Sequence, residues 1–92
     1  LDPGATIDLD EWLGAELTAL ADAGRAVRTV RGIGLMWGID VRDRASDVVR
    51  AARERGLLIL TAGDHTVRLM PPLTITRVDL ERGVVVLRGM LA

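Results

Sequence analysis

The sequence predicts a small α+β domain in which a mostly antiparallel sheet of three or four strands carries about three helices on one face. Apolar residues follow a helical spacing near both ends of the chain and once in its middle, and they alternate or run together between those segments. Glycine or proline stands at most of the changes from one pattern to the other. Because the chain has 92 residues, it has the length of one domain with two packed layers.

The first helix is predicted after a lead-in segment or cut end, residues 1–7, that contains the turn signal Asp2-Pro3-Gly4. The domain proper is therefore expected over residues 8–92, and Asp8 or Asp10 can cap its first helix. We expect that helix to end near Gly24. Its apolar stripe consists of Leu9, Trp12, Leu13, Leu17 and Leu20.

The middle of the chain predicts two extended segments and a second helix. Val27 to Arg31 is a short extended stretch, and Leu35 to Val41 follows as a strand after Gly32 and Gly34. One face of that strand holds Leu35, Trp37, Ile39 and Val41. Ser46 or Asp43 can cap the second helix, which Gly56 ends. Its buried stripe is predicted to consist of Val48, Val49, Ala52 and the stem of Arg55.

The last third of the chain predicts a hairpin followed by a third helix. Leu57 to Leu60 reads as a continuous apolar strand, and residues 62–65 as a turn. In the returning strand, Val67 and Leu69 point to one face, and Arg68 and Met70 point to the other. The strand must end there, because Pro71-Pro72 cannot continue the ladder of backbone hydrogen bonds. The closing helix begins with a loose capping box of Thr76 and Asp79. Its apolar stripe is Leu80, Val84, Leu87 and Leu91.

Composition excludes several classes of function. Twelve basic residues against 13 acidic ones give a net charge of −1, which does not favour nucleic acid or a membrane surface as partner. Neither a membrane span nor a signal peptide is visible, so we expect a cytoplasmic protein. Without cysteine and with a single histidine the chain predicts no disulfide, thiolate nucleophile or metal site. All basic residues are arginine, and with no lysine the chain cannot form a Schiff base with a carbonyl substrate. We therefore predict no catalytic residue and no turnover by this chain alone.

Arg68 is the most informative candidate for a binding role. It lies in a strand whose neighbours Val67, Leu69 and Met70 favour burial, so its guanidinium needs an anionic partner. Planar, bidentate recognition of a carboxylate is the use to which arginine is best suited. The alternative is an outward-facing strand residue paired with an aspartate or glutamate of the same chain.

Other polar candidates have simpler structural interpretations. His65 is predicted to be an exposed turn residue rather than a general base, and Asp64 a turn residue. Arg31-Gly32-Ile33-Gly34 fails as a nucleotide fingerprint because it lacks a third glycine and precedes a strand, so its glycines indicate close backbone approach or positive φ. Trp12 and Trp37 lie on apolar stripes and are expected in the core. The remaining arginines of polar segments are expected at the surface: Arg42, Arg44, Arg50, Arg53, Arg55, Arg77, Arg82 and Arg88.

Three segments carry a family resemblance: residues 31–40, RGIGLMWGID; residues 56–63, GLLILTAG; and residues 67–75, VRLMPPLTI. In their order and spacing they resemble the C-terminal small domain of class III pyridoxal-phosphate-dependent aminotransferases, closest to the acetylornithine and ornithine aminotransferase branch. The resemblance covers residues 9 to 91, whereas Leu1 to Thr6 match nothing expected there.

The resemblance implies a substrate-binding role for Arg68, whose counterpart in this family binds the α-carboxylate of the amino or oxo acid, typically glutamate or 2-oxoglutarate. The Schiff-base lysine, the aspartate at the pyridine nitrogen and the phosphate-binding groups belong to the family's large domain. No cofactor-binding residue is therefore expected here, and no pyridoxal phosphate bound to this chain alone. The implied whole is a homodimeric transaminase of arginine or amino-acid biosynthesis, acting on acetylornithine- or ornithine-type donors and 2-oxoglutarate. This chain's partners would be the large domain and the dimer mate.

A second hypothesis comes from a different class of protein. The chain is then an excised or designed non-catalytic α+β folding or interaction domain. Such a domain would expose apolar surface that the large domain normally covers, and would self-associate into a homo-oligomer.

Overall fold

The architecture is a four-stranded antiparallel sheet with three helices, which confirms the predicted α+β class. The computed structural model describes residues 3–72 and 74–92, with side chains from residue 9 onward. Neighbouring strands in the sheet follow the order β1-β2-β4-β3. The elements are α1 (Pro3–Asp22), β1 (Val27–Ile33), β2 (Met36–Val41), α2 (Ala45–Glu54), β3 (Leu60–Thr61), β4 (Thr66–Leu69) and α3 (Arg77–Leu91).

Helix α1 is longer than the sequence predicts. Its buried residues Leu13, Leu17 and Leu20 are those of the predicted stripe, and Gly24 follows its end with φ +70°. The helix begins at Pro3, so the predicted cap at Asp8 or Asp10 is wrong, since both positions lie inside the helix. Proline is tolerated in a first helical turn because its missing N–H would have no intrahelical partner there. Leu1 and Asp2, part of the predicted turn, lie outside the described residues, and the boundary between residues 7 and 8 stays a prediction.

Strands β1 and β2 form an antiparallel hairpin in which Ile33 pairs with Met36 and Val30 with Ile39. Strand β1 extends two residues beyond the predicted Arg31. The predicted inner face of β2 is confirmed, because Leu35, Ile39 and Val41 are buried and Trp37 is half-buried.

Helix α2 confirms the predicted position but not the predicted cap. Its N-cap is Arg44, and no side chain caps the helix, so the expected roles of Ser46 and Asp43 are wrong. Gly56 ends the segment at φ +82° as expected.

The buried residues of α2 are Ala45, which was not predicted, and two members of the predicted stripe. Val48 and Ala52 are buried and Val49 is half-buried. Arg55, in contrast, is exposed, and its guanidinium donates to the backbone oxygen of Ala51 at 3.0 Å. The charged end of Arg55 therefore stays at the surface and bonds the last turn of the helix, and burial of its stem stays a prediction.

The predicted strand from Leu57 to Leu60 is mostly absent. Strand β3 covers only Leu60 and Thr61, which pair with Arg68 and Val67. Continuing that antiparallel register would set Leu58 opposite Met70 and Leu57 opposite Pro71, and a proline donates no ladder hydrogen bond. Leu58 is 74% exposed, whereas Ile59 is buried.

Strand β4 and helix α3 follow the predictions. Val67 and Leu69 are buried whereas Arg68 is exposed, and the strand ends before Pro71-Pro72. The backbone N–H of Asp79 donates to Thr76 Oγ1 at 3.2 Å, so Thr76 is the N-cap of α3. The buried residues of α3 are those of the predicted stripe: Leu80, Val84, Leu87 and Leu91.

The three helices cover one face of the sheet and leave the other open. The buried side chains of strands and helices form a single apolar cluster between the two layers. Strand residues that point the other way are exposed or half-buried. None of the helices in the described ranges is both long and apolar enough to cross a membrane.

Candidate functional site

The open face of the sheet carries the polar side chains of the strands. Alternation puts every second residue of a strand on this face. The helices cover the opposite side of the sheet, and nothing in the described part of the chain packs over this open face. The residues of β1, β2 and β4 that share the face include Thr29, Arg31, Gly38, Asp40, Thr66 and Arg68.

Gly38 lies between the two arginines of this face. It pairs with Arg31 of β1 on one side and with Arg68 of β4 on the other. Since neighbouring strands lie about 4.8 Å apart, the Cα atoms of the two arginines are about 10 Å apart. A Cβ on Gly38 would meet only the backbone oxygen of Arg31 at 3.7 Å and its Cγ at 3.9 Å, so space remains above the glycine.

Asp40 binds the polar groups next to the space above Gly38. Its Oδ2 accepts hydrogen bonds from Thr29 Oγ1 at 2.7 Å and from Arg31 Nη1 at 2.6 Å, and its Oδ1 accepts from Thr66 Oγ1 at 2.7 Å. The Arg31 hydrogen bond, followed by those of Thr29 and Thr66, lowers the pKa of Asp40 from 3.8 to about 2. The carboxylate therefore stays ionised and joins three strands across the open face.

Arg68 lies on an inner strand, as its sequence context indicates, and its side chain points to the open face. Its apolar neighbours Val67 and Leu69 are buried on the opposite side, whereas Met70 is 48% exposed. Within residues 9–72 and 74–92, the Arg68 guanidinium takes part in no ion pair or hydrogen bond, in contrast to Arg31. The arginine faces outward as in the alternative interpretation, but without the acidic partner which that interpretation requires.

A shallow depression of about 390 Å³ contains both arginines and the space above Gly38. Trp37, Thr66 and Ala62 also line it. A second cleft of about 240 Å³, between the Pro71-Pro72 loop and α3, is lined almost wholly by apolar side chains. A carboxylate needs charged donors, so the depression on the open face is the better candidate site.

The glycines near Arg31 shape the rim of the depression. Gly34 has φ +60°, and a Cβ on Gly32 would collide with the Met36 backbone oxygen and the Trp37 ring. Trp37 donates from Nε1 to the Gly34 oxygen at 2.9 Å, which ties the ring to this turn. Both expectations for these glycines, close approach and positive φ, are confirmed.

The remaining candidates from the sequence lie outside the depression. His65 is exposed, and its Nδ1 lies 2.8 Å from the backbone oxygen of Asp43. The Asp64 oxygen accepts from the Ala45 N–H at 2.7 Å, as expected of a turn residue. Trp12 is half-buried against the core, with the Arg77 guanidinium 5.7 Å from its ring centre. The described residues hold no group of acidic or histidine side chains arranged for a metal ion.

Surface positions are confirmed for all eight arginines assigned to polar segments. Several bond nearby groups: Arg50 pairs with Asp47, Arg77 with Glu81 and Arg88 with Glu16.

The sequence did not indicate that Arg31 and Asp40 belong to the candidate site. The signal was present in the alternation of Thr29 and Arg31 in β1 and in a charged Asp40 within an otherwise apolar strand. Which acid meets which arginine depends on strand register, which the sequence does not specify.

Comparison with known proteins identifies the family. Residues 5–91 match the family model of the class III aminotransferases. The chain belongs to this family. An acetylornithine aminotransferase from Streptococcus mutans is 39% identical over 77 residues, which cover 84% of the chain and 20% of that protein. The aminotransferase match includes Ala5 and Thr6, so the expectation that Leu1 to Thr6 match nothing is wrong for those two residues.

Solved aminotransferase structures share the fold described above. A lysine aminotransferase from Mycobacterium tuberculosis in the internal aldimine form superposes with a TM-score of 0.83 at 31% identity, covering 95% of this chain and 21% of that one. An acetylornithine aminotransferase from Elizabethkingia anophelis gives 0.84 at 27% identity, covering 95% and 24%. The chain thus spans about a fifth of the length of the curated relatives it matches.

Class III aminotransferases use pyridoxal phosphate, and the residues of this aminotransferase domain do not fit that group by themselves. A Schiff base needs a lysine amine, and all 12 basic residues of the chain are arginines. No step that passes through the cofactor can therefore be assigned to these residues. The Arg68 guanidinium, which has no ion-pair partner within residues 9–72 and 74–92, has the charge and planar geometry to pair with a carboxylate.

Proposed function

We propose that this chain is the small domain of a class III aminotransferase that moves an amino group between an acetylornithine- or ornithine-type donor and 2-oxoglutarate. In this proposal Arg68 binds the α-carboxylate of the substrate. The observation that carries it is the guanidinium of Arg68, which stands on an inner strand beside an open depression with no acidic partner in the described chain.

The contribution of Arg68 is binding and orientation. A guanidinium presents two parallel N–H groups that match the two oxygens of a carboxylate, which fixes the direction of the substrate as well as its position. The pairing becomes stronger when another protein layer covers the open face and removes water from the depression. Pyridoxal phosphate, when bound by the complete enzyme, supplies the electron sink of the amino transfer.

The partners in this proposal are the large domain of the same enzyme and the dimer mate. The depression holding Arg68 is rimmed by exposed apolar side chains, since Ile33 is 82% and Met36 55% exposed. Such side chains favour a covering layer of protein over bulk water. Closure of that layer onto the sheet would sequester the carboxylate bound to Arg68.

The test is Arg68→Ala in a full-length aminotransferase that carries this domain. Loss of a charge-assisted bidentate contact costs about 2–4 kcal/mol of transition-state binding, so kcat/KM for 2-oxoglutarate should fall by roughly 30- to 1000-fold. Arg68→Lys should lose nearly as much because an ammonium cannot make the planar pair. The matched control is Arg28→Ala. Arg28 is another exposed arginine of β1 and lies where the pairing of β1 with β2 shifts register. An unchanged kcat/KM in Arg68→Ala would contradict the proposal.

The exposed apolar side chains also support the second candidate, a non-catalytic domain that self-associates. Leu58 and Leu60, which lie just before and in β3 at the sheet edge opposite β1, are 74% and 55% exposed. In that case the 92-residue chain should form oligomers as its concentration rises, with the open face as the interface. Light scattering that gives the monomer mass at high concentration would rule this candidate out.

A further inference from the structure

Asp40 lies within reach of Arg68 but does not bind it. Arg68 is paired with Gly38, and Asp40, two residues further along β2 on the same face, is paired with Thr66. Diagonal neighbours of this kind in antiparallel strands lie about 7–8 Å apart, a distance that an arginine side chain can bridge. Asp40 is the one acidic residue within the four strands of the described chain. An internal Asp40–Arg68 ion pair is therefore geometrically available.

Three other donors occupy the carboxylate instead. Arg31 and Thr29 approach Oδ2, and Thr66 approaches Oδ1. Of these, only Arg31 carries a charge, so it competes with Arg68 for the same anion from the opposite side of Gly38. The charge of Arg31 is therefore compensated by Asp40, whereas the charge of Arg68 has no counter-charge among the side chains that the structure describes.

We propose that Arg31 is a positioning residue for Arg68: it holds the Oδ2 atom of the Asp40 carboxylate toward β1 and so keeps the Arg68 guanidinium free for the carboxylate of the substrate. The inference rests on the proposed function of Arg68. Its physical reason is competition, because a carboxylate tethered within the same sheet acts at a high effective concentration. If Arg31 were absent, Asp40 would turn to Arg68, and the substrate would have to displace it.

The first experiment needs no catalysis and uses the 92-residue chain. The pKa of Asp40 is followed by NMR of its side-chain carboxyl carbon in four proteins: the parent, Arg31→Ala, Arg68→Ala and the double variant. We expect Arg68→Ala alone to leave the Asp40 pKa unchanged, since the two residues do not touch. In the Arg31→Ala background the same substitution should raise it by about half to one pH unit, because Arg68 has become the partner. An equal effect of Arg68→Ala in both backgrounds would overturn the inference.

The second experiment measures the consequence for substrate in the full-length aminotransferase. Arg31→Ala should raise the KM for 2-oxoglutarate by roughly 3- to 10-fold with a smaller change in kcat. Arg31→Ala/Asp40→Asn should return the KM toward that of the parent, because the competing anion has been removed. Arg31→Lys keeps a cation near Asp40 and should retain the parent KM. If the double variant has a KM as high as Arg31→Ala, Arg31 acts only as a structural residue and the inference is wrong.

The two experiments separate this inference from the function of Arg68. If Arg68→Ala leaves kcat/KM unchanged, the proposed substrate contact fails, whereas the titration of Asp40 still decides whether its partner is exchanged. If Arg68→Ala is severely impaired but Arg31→Ala retains the parent KM, only the positioning role of Arg31 fails.

Discussion

Thr66 faces Asp40 across the β2–β4 pair and donates a 2.7 Å hydrogen bond to its Oδ1. On the other side, Thr29 and Arg31 of β1 donate to Oδ2 of the same carboxylate. One ionised side chain therefore connects β1, β2 and β4 on the face where no helix packs. This arrangement links the stability of the sheet to the electrostatics of the candidate site.

Stability in acid should depend on Asp40. Because folding lowers its pKa from 3.8 to about 2, the ionised form stabilises the fold above about pH 4, and that contribution is lost as the pH falls toward 2. The lowering corresponds to at most about 2.5 kcal/mol, which partial exposure reduces to about 1 kcal/mol. Asp40→Asn should cost that amount at pH 7 in urea denaturation and much less at pH 2.

The control for Asp40 is Asp47→Asn, which removes an exposed ion pair with Arg50 inside α2. We expect it to change the free energy of unfolding by less than about 0.5 kcal/mol at pH 7. Equal losses for Asp40→Asn at pH 7 and pH 2 would show that the ionised carboxylate does not stabilise the fold.

Gly32→Ala should destabilise the β1–β2 hairpin. A Cβ there would stand 2.5 Å from Cδ2 of Trp37, as well as against the Met36 backbone oxygen, so the ring or the strand must move. We expect a loss of about 1–3 kcal/mol in the free energy of unfolding, measured by thermal or chemical denaturation. Gly89→Ala is the matched control, since a Cβ at that exposed position of α3 meets nothing within 4 Å. It should stabilise the protein by about 0.5–1 kcal/mol, and a similar loss in both variants would refute the steric argument.

Leu87→Ala should be the more severe of two neighbouring substitutions in α3. Leu87 is fully buried in the single apolar cluster, so truncation leaves a cavity and should cost about 2–5 kcal/mol. Val85 is 62% exposed on the same helix, and Val85→Ala should stay within about 0.5 kcal/mol of the parent. The comparison is made by urea denaturation. If Val85→Ala were equally destabilising, the exposed side of α3 would be covered in solution.

The elements that the sequence predicted well are those in which one periodicity dominates. In α3 the spacing is four or three residues between successive members of the stripe Leu80, Val84, Leu87 and Leu91, so the helix has one buried face. Thr76 caps the helix through its own side chain. The strand predicted from Leu57 to Leu60 is mostly absent, for a reason that these four residues do not show. Four consecutive apolar residues suit a buried strand, but a ladder needs a partner, and β4 ends at Leu69 before Pro71-Pro72.

Only part of the candidate site could be predicted from the sequence, for a related reason. Arg68 stood out because charge and apolar surroundings conflict within a short segment. The roles of Arg31 and Asp40 depend on pairing between strands separated along the chain, where a shift by one residue would move either side chain to the other face. The caps predicted at Asp8, Asp10, Asp43 and Ser46 failed because each acidic or hydroxyl residue near a helix start is an equally plausible cap in sequence. Only the backbone at the helix start decides among them.

Gly38 should determine whether a carboxylate can reach Arg68. The space above Gly38 separates Arg31 from Arg68, and a single Cβ there would make only ordinary contacts. Gly38→Ala should therefore fold normally and change the KM for 2-oxoglutarate less than about threefold in the full-length aminotransferase. Gly38→Leu places a branched chain over the floor of the depression and should raise that KM tenfold or more, by roughly 1.4 kcal/mol or more of lost binding. Circular dichroism on the 92-residue chain establishes that both variants keep the fold. A Gly38→Leu enzyme with the parent KM would mean that the substrate carboxylate does not bind above this glycine.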